Sequence, residues 1–497
     1  MAQVNPRSLR GRTRSVDLAL VKASFASRPS GLDPALRTLT GLADHSVLWA
    51  IVASALAASG GPRRRGAVRG MLAVVGASSL ANGVLKPLLP RDRPPAASVP
   101  ALRRIMTPPV SSSFPSGHAA SAAAFATGVA LEAPLAGLLV APLAATVAYS
   151  RVHVGVHWPS DVVVGAALGV AVALSTRRWW AVRSTESAEL GPAGPAPALH
   201  EGEGMLVLVN PGAGTHNSEV VADVAKALPR ARFLEPNADD DFTAQFVRAA
   251  GSDVLALGVC GGDGTVAAAV AAAVRTGLPL AVFPGGTLNH FARDVGAVEV
   301  SVTADAVTRG ASSRVDLGGV SIDGGEEILF VNTASIGGYP DSVRLRDKWS
   351  SRIGKWPAAA AAMVAVLAVA EPMHVEIDGR RDSVWMMFVG NGTYTPGDQV
   401  PMSRPSIASG VLDVRFLRAH MRLSRTRLAL AAMTGTLGTS PTYRHLRVPA
   451  VSVRNLQTTV AVAVDGEVAG KGRAFDYRAR PSLLTLYGTG TADAPRA

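Results

Sequence analysis

Residues 150–161 read Ser150-Arg151-Val152-His153-Val154-Gly155-Val156-His157-Trp158-Pro159-Ser160-Asp161. One apolar run ends in this stretch and another begins from it. An arginine, two histidines and a carboxylate are thereby delivered to the ends of apolar segments. His157 and Asp161 are four residues apart, with Pro159 placed to start a helix between them. On that helix Asp161 falls on the side of His157, where it can orient the ring and raise its basicity. His153 competes for the same role, but no carboxylate stands four residues beyond it.

Two stretches upstream follow the same logic: Lys86-(six residues)-Arg93-Pro94, and Pro115-Ser116-Gly117-His118. A phosphomonoester carries two negative charges, so its site needs donors that keep their charge. Arg93 and Arg151 offer planar forks and Lys86 a point charge. Gly117 lets the backbone approach closely, and Ser116 adds a hydroxyl. One neutral imidazole can attack phosphorus while a second protonates the leaving oxygen. Taken singly, an Arg-Pro is a loop, a Ser-Gly-His opens a helix, and a histidine beside Trp158 is an interfacial residue. All three in order, each at the end of an apolar run, point to phosphate chemistry.

The apolar runs lie at about 46–60, 70–89, 118–132, 134–150 and 162–176. They carry almost no internal charge, which predicts a membrane helical bundle over 46–183 rather than buried soluble helices. Residues 1–45 are expected to form an interfacial segment, with amphipathic helices over 16–43 broken by Pro29 and Pro34. The net charge of +12 comes with no nucleic-acid motif, so anionic lipids and lipid substrates are the expected partners. Cys260 is the only cysteine, which excludes an internal disulfide. Nothing near the first residues resembles a cleaved signal peptide.

Residues 184–203 are Ser-, Glu-, Gly-, Pro- and Ala-rich and predict a linker. Beyond it the texture changes. Short β-runs at Met205–Val209, Asp253–Val259 and Pro279–Phe283 end in Asn210-Pro211-Gly212, Gly261-Gly262-Asp263-Gly264-Thr265 and Pro284-Gly285-Gly286-Thr287. Strand, glycine loop, helix, repeated, predicts an α/β lobe over 204–315, its phosphate-binding loops at the carboxyl ends of the strands. Asp263 is the candidate Mg²⁺ contact. From 316 to 490 the pattern is strand-rich, the clearest hairpin being Asp378-Gly379, and it predicts a mostly β lobe before a short tail at 491–497. The basic stretch 344–355 with Trp349 and Trp356 suits a headgroup-level anchor, and the apolar run 358–370 a packed or membrane-facing helix, with a sixth span as the alternative. No Gly-(four residues)-Gly-Lys-Ser/Thr loop occurs, which disfavours a P-loop fold.

With these residues in hand, residues 46–180 resemble the type 2 phosphatidic acid phosphatase superfamily, matching its three motifs without a substitution. The resemblance implies a metal-independent membrane phosphatase with a phosphohistidine intermediate. His157 would be the nucleophile, Asp161 its partner and His118 the general acid. Lys86, Arg93, Ser116, Gly117 and Arg151 would hold the phosphate. Residues 205–490 resemble the diacylglycerol kinase catalytic family through Asn210, Gly214, Gly261–Thr265, Gly286-Thr287-Leu288-Asn289, Asn332 with Ser335 and Gly337, and Asp465-Gly466-Glu467. This resemblance implies ATP and Mg²⁺ bound between two lobes, with Asp465 as the base and Glu467 assisting at the metal. His290 and Ala267-Ala268 depart from the family pattern, which offers Asp and Asn-Glu there. The chain is thus expected to join a lipid phosphate phosphatase to an ATP-dependent lipid kinase. The rival is a phosphatase carrying a non-catalytic kinase-like module. Basic residues near 63–69 and 177–183 predict that end of the bundle, and the kinase, to be cytoplasmic at the plasma membrane, with the phosphatase site outward.

Overall fold

The computed structural model describes residues 6–26, 31–105, 110–178, 180, 182, 187–210, 217–237, 241–286, 289–337, 371–398, 401, 403–434 and 436–488. Gly214, Thr287, the basic stretch 344–355 and the apolar run 358–370 lie outside the described residues. The chain divides into two compact units, Met1–Arg183 and Ser184–Ala497.

The first unit is all-α. Its helices are α1 (Pro6–Ala26), α2 (Leu32–Leu42), α3 (Val47–Ala58), α4 (Gly61–Ser78), α5 (Lys86–Leu88), α6 (Gly117–Glu132), α7 (Pro134–His153) and α8 (Pro159–Ser175). A π-turn over Ser79–Leu85 fuses α4 to α5. Each expected apolar run is helical. Gly61–Leu88, Pro134–His153 and Pro159–Arg178 are long and apolar enough to cross a membrane, and α2 with α3 would make a fourth span bent by 78°. Helix α6 has only 16 residues and sits among α4, α7 and α8. Small residues let the helices approach. A Cβ added at Gly128 on α6 would lie 2.7 Å from Gly70 Cα on α4, and one at Gly169 on α8 would strike the Ala120 carbonyl. On the outside, Leu135, Leu138 and Leu139 of α7 are exposed, as lipid-facing residues should be.

The N-terminal segment differs from expectation in how it lies. It is helical and amphipathic, but two carboxylates and a hydroxyl face inward: Asp17, Asp33 and Thr40 are buried while Leu18 and Leu20 are exposed. Cations and hydroxyls of the bundle provide the cause, since they satisfy these carboxylates. Pro34 sits in the first turn of α2 and does not break it, because the N–H it lacks has no partner there.

The second unit begins with β1 (Met205–Val209), α9 (Asn217–Ala227), β2 (Arg232–Leu234), α10 (Phe242–Ala249), β3 (Ala256–Gly261), α11 (Asp263–Thr276), β4 (Leu280–Pro284), α12 (His290–Asp294) and α13 (Val300–Arg309). Strands β2-β1-β3-β4 pair in parallel. The continuous apolar runs of β1, β3 and β4 are buried on both faces by the helices. An antiparallel lobe follows: β5 (Ser312–Ile322), β6 (Glu327–Phe330), β7 (Thr333–Gly337), β8 (Met373–Ile377), β9 (Arg380–Asn391), β10 (Leu412–Arg418), α14 (Ser424–Thr434), β11 (Tyr443–Val448), β12 (Ala450–Asn455), β13 (Val460–Val464), β14 (Glu467–Gly472) and β15 (Ala474–Tyr487). Long strands β5 and β15 run side by side from one lobe into the other, and Leu486 of β15 pairs in parallel with Leu280 of β4.

The expected linker is shorter than its composition suggests. From residue 187 the chain is pinned to the second unit: Ala188 N donates to Asp294 O, Glu189 N to Pro405 O and Gly191 N to Arg314 O. Ala188, Leu190 and Leu199 are buried there. Proline and glycine here form an edge-hugging extended strap instead of slack chain.

Candidate active sites

The phosphatase motifs meet at one end of the helical bundle. His157 lies in the turn between α7 and α8 and is 2% exposed. Its Nδ1 is 2.6 Å from the Ser113 carbonyl oxygen. A carbonyl only accepts, so Nδ1 carries the proton and Nε2 keeps the lone pair. Asp161 Oδ2 is 3.7 Å from Nδ1, too long for a hydrogen bond. Asp161 instead accepts from Arg91 Nη1 at 2.6 Å and from Trp158 N at 2.9 Å. It therefore acts on the ring by charge and by fixing the turn. Burial pushes the His157 imidazole down to about 4 against the opposing pull of Asp161, so the ring is neutral at pH 7.

The cations surround this ring. Arg93 Nη1 donates to Val156 O at 2.6 Å and Nε to Ser111 O at 3.0 Å, which ties the loops together. Arg151 is buried, its Nη1 is 3.3 Å from Thr40 Oγ1, and its Nε has no partner among the described residues. An orphaned buried guanidinium donor fits an anion site. The charges of Arg93, Arg151 and Asp161 all act on Lys86. Ser116 caps α6, its own N donating to Asp161 O at 3.0 Å, and Gly117 follows where a Cβ would lie 2.8 Å from Asn82 Oδ1. His118, next along α6, places Nε2 at 2.7 Å from Asp44 Oδ1. Residues 17–46 thus reach the site repeatedly: Asp17 holds Arg91 and Ser160, Asp33 holds Arg103 and His153, and Asp44 holds His118.

In the second unit the described residues at the carboxyl ends of β1, β3 and β4, namely Asn210, Gly262 and Gly286, come together at one edge of the parallel strands. Asn210 Nδ2 donates to Thr265 Oγ1 at 3.0 Å, and Asn217 Nδ2 to Asn210 O at 2.5 Å. Gly262 is the N-cap of α11, so Asp263, Gly264 and Thr265 present the positive end of that helix. The third loop packs directly on it: a Cβ at Gly286 would lie 2.5 Å from Gly262 Cα. Asn289, at φ 49°, closes this loop by accepting from Gly286 N at 2.8 Å. Asp263 Oδ1 lies 3.4 Å from Phe291 N. Beside the third loop is a cavity of about 700 Å³ whose lining includes Asp223, Lys226, Pro284, Asn289 and Glu299.

The β13–β14 hairpin brings Asp465 and Glu467 to the same place. A Cβ at Gly264 would lie 3.0 Å from Glu467 Oε1, so that carboxylate overlies the glycine turn. Asp465, at φ 48°, accepts from Val331 N at 2.9 Å, Asn332 N at 2.8 Å and Thr333 N at 2.9 Å. Burial raises its carboxyl above the usual range, although these N–H groups and Arg404 pull the other way. Arg404 is buried and spans the neighbourhood, donating to Asp294 Oδ2, Val331 O and Asn332 Oδ1. Sequence reasoning missed Ser113, Asp44, Arg91 and Arg404. Arg91 stood two residues before Arg93 and was legible. Ser113 acts through its backbone and left no side-chain signal.

Comparison with known proteins agrees half by half. The PAP2 superfamily profile matches residues 67–184, and the diacylglycerol kinase catalytic domain profile matches residues 204–320. A decaprenylphosphoryl-5-phosphoribose phosphatase of Mycobacterium tuberculosis (strain H37Rv) is 38% identical over 160 residues, covering 31% of this chain and 84% of that protein. The "Probable lipid kinase YegS-like" protein of Pseudomonas aeruginosa (strain PAO1) is 30% identical over 298 residues, covering 57% of this chain and 93% of that protein. A diacylglycerol kinase structure from Bacillus anthracis str. Sterne is similar at 21% identity and a TM-score of 0.42, covering 59% of this chain and 98% of that one. The chain belongs to the PAP2 superfamily through its first half and to the diacylglycerol kinase family through its second. It is an enzyme that carries a PAP2-type phosphatase domain and a lipid kinase domain.

Proposed function

We propose that both domains are active, so that one membrane protein removes phosphate from a lipid phosphomonoester and adds phosphate from ATP to a lipid alcohol. The observation that supports this most is that each half brings its described motif residues together, His157 with Lys86, Arg93 and Arg151 in the first and Glu467 with the glycine turn 261–265 in the second. In the first half, His157 Nε2 attacks phosphorus while Lys86, Arg93 and Arg151 hold the phosphoryl oxygens. His118 protonates the leaving oxygen, and water then releases phosphate from the phosphohistidine. The substrate is phosphatidic acid or a prenyl or glycerol lipid phosphate. The mycobacterial relative's name adds a polyprenyl-linked phosphosugar to the panel.

In the second half, the backbone N–H groups of Gly261–Thr265 and the Gly286–Asn289 loop cradle the ATP phosphates, together with Gly214 and Thr287. Mg²⁺, when bound, would need one or two carboxylates beside the phosphates. Asp263, within the glycine turn, and Glu467, whose Oε1 lies beside Gly264, are the carboxylates that would hold it. Among the described residues no cluster of three acidic, His or Cys side chains offers an all-protein site. The ion would neutralise the phosphates, while Asp465 takes the proton of the attacking hydroxyl, diacylglycerol or a related lipid alcohol. A second reading, a non-catalytic module, is favoured by His290 at the start of α12, where the family offers a carboxylate.

Membrane orientation follows from charge. Arg63, Arg64 and Arg65 open α4, and Arg69 of that helix reaches Thr176 and Trp180 beyond α8, so one end of the bundle gathers the basic residues. The positive-inside rule makes that end cytoplasmic, where ATP is found. The phosphatase site, at the other helix ends, then faces outward at the plasma membrane. Purified protein assayed against lipid phosphates and lipid alcohols, with and without ATP, tests the proposal. Lipid binding without any ATP-dependent transfer would favour the non-catalytic module.

A further inference from the structure

Helices α2 and α3 meet at a sharp bend, and the three-residue turn Asp44–Ser46 forms the corner. Ser46 holds the corner at φ 62°, in the left-handed region, a conformation that costs energy for a residue with a Cβ. This corner lies over the first turn of α6, where Asp44 Oδ1 meets His118 Nε2 at 2.7 Å. Of the charged groups acting on the His118 ring, Arg151 and Lys86 are cationic and Asp44 is the acidic one. Asp44 stands outside the three phosphatase motifs, 74 residues before the histidine it touches.

We propose that Asp44 is the positioning residue of the general acid, the role that the sequence pattern assigned to Asp161 for the nucleophile. The inference rests on the phosphatase reading above. A carboxylate only accepts, so Nε2 is the protonated nitrogen facing Asp44, and Nδ1 is the atom that serves the substrate. Burial and the two cations disfavour an imidazolium at this place, and Asp44 is the group that favours it. In the first step a bond forms between His157 Nε2 and phosphorus, the bond to the lipid oxygen breaks, and that oxygen takes the proton from His118 Nδ1. In the second step water attacks phosphorus as the bond to Nε2 breaks. The proton of that water returns to His118 Nδ1, and inorganic phosphate leaves. Asp44 keeps its contact with Nε2 in both steps, which holds the ring in one orientation, protonated on both nitrogens before the first step and on Nε2 alone between the steps.

A leaving-group comparison distinguishes this role from a merely structural one. A lipid phosphate expels an alkoxide that must be protonated, whereas p-nitrophenyl phosphate expels a stable phenolate that need not be. The test uses the full chain, detergent-solubilised, as wild type, Asp44→Asn, Asp44→Glu and His157→Ala. Asp44→Asn should lose about 10- to 100-fold in kcat on phosphatidic acid and less than about threefold on p-nitrophenyl phosphate. Asp44→Glu should recover part of the loss, and His157→Ala should be inactive on both. Equal losses on the two substrates, or no loss on either, would overturn the role of Asp44. A wild type that hydrolyses neither substrate, or a His157→Ala protein that hydrolyses both, would instead overturn the phosphatase reading and the inference with it.

Discussion

Substituting Gly286 by alanine should damage the kinase half through backbone alone. The new methyl would sit 2.5 Å from Gly262 Cα, 3.2 Å from Gly262 N and 2.8 Å from Asn289 Oδ1. Ordinary carbon contacts need about 3.5 Å, so the two glycine loops must part by about 1 Å. Two of the three obstructing atoms belong to backbone and cannot swing aside. Overpacking of this kind costs about 1–3 kcal/mol. If the strain falls on the nucleotide-bound arrangement, ATP binds roughly 5- to 150-fold more weakly. Gly264→Ala is the matched control, because its methyl meets only the tip of the exposed Glu467 side chain, at 3.0 Å. Its stability should stay within about 0.5 kcal/mol of wild type. Calorimetric ATP binding and thermal unfolding of the purified chain check both, with phosphate release by the same preparation reporting on the membrane half. A Gly286→Ala protein with wild-type Kd and unchanged Tm would refute the close packing of the two loops.

Three further outcomes are expected. Glu132 pairs with Arg69 at 2.7 Å, both side chains fully buried, and also with Arg65; Glu132→Ala should cost about 3–5 kcal/mol, read as a lowered Tm in detergent. The kinase needs Asp465 deprotonated, and burial raises its carboxyl; kcat/KM for transfer should therefore fall on acidification at a pH above the ordinary Asp value of about 3.9, and a midpoint at or below that value would contradict a desolvated base. In intact cells Ser111→Cys should react with an impermeant thiol reagent and Glu201→Cys should not, and the reverse labelling would invert the orientation.

Much of the fold could be read from local pattern. The five apolar runs are helices, and β1 occupies the residues 205–209 that the sequence indicated. The Asp378-Gly379 hairpin turns with φ 45° and 77°, as an Asp-Gly pair in a tight turn should. These features depend on periodicity and on residues with special backbone freedom, which a single sequence displays. The chain from 187 to 203 was misread because its composition is that of a linker, whereas its backbone is bonded along partners more than 100 residues away, Asp294, Arg314 and Pro405. The buried carboxylates Asp17 and Asp33, and the half-exposed Asp44, were hidden for the same reason: an Asp on an amphipathic helix reads as solvated until Arg91, Arg103 and His118 are brought beside it. The distance of 3.7 Å between His157 and Asp161 shows the limit of spacing rules. Four residues on a helix set two groups on one side, but a competing arginine and a nearby carbonyl decide which bonds form.

Crossed inactivation of the two sites tests the two-enzyme proposal most directly. The wild-type chain, His157→Ala and Asp465→Ala would each be purified whole and assayed for phosphate release from phosphatidic acid in EDTA. The same proteins would be assayed for transfer from labelled ATP to diacylglycerol in Mg²⁺. His157→Ala should lose phosphate release by several orders of magnitude and keep transfer, whereas Asp465→Ala should lose transfer while keeping ATP binding and phosphate release. Phosphate release that survives His157→Ala, or a wild type that never transfers phosphate to any lipid alcohol, would contradict two working enzymes in one chain.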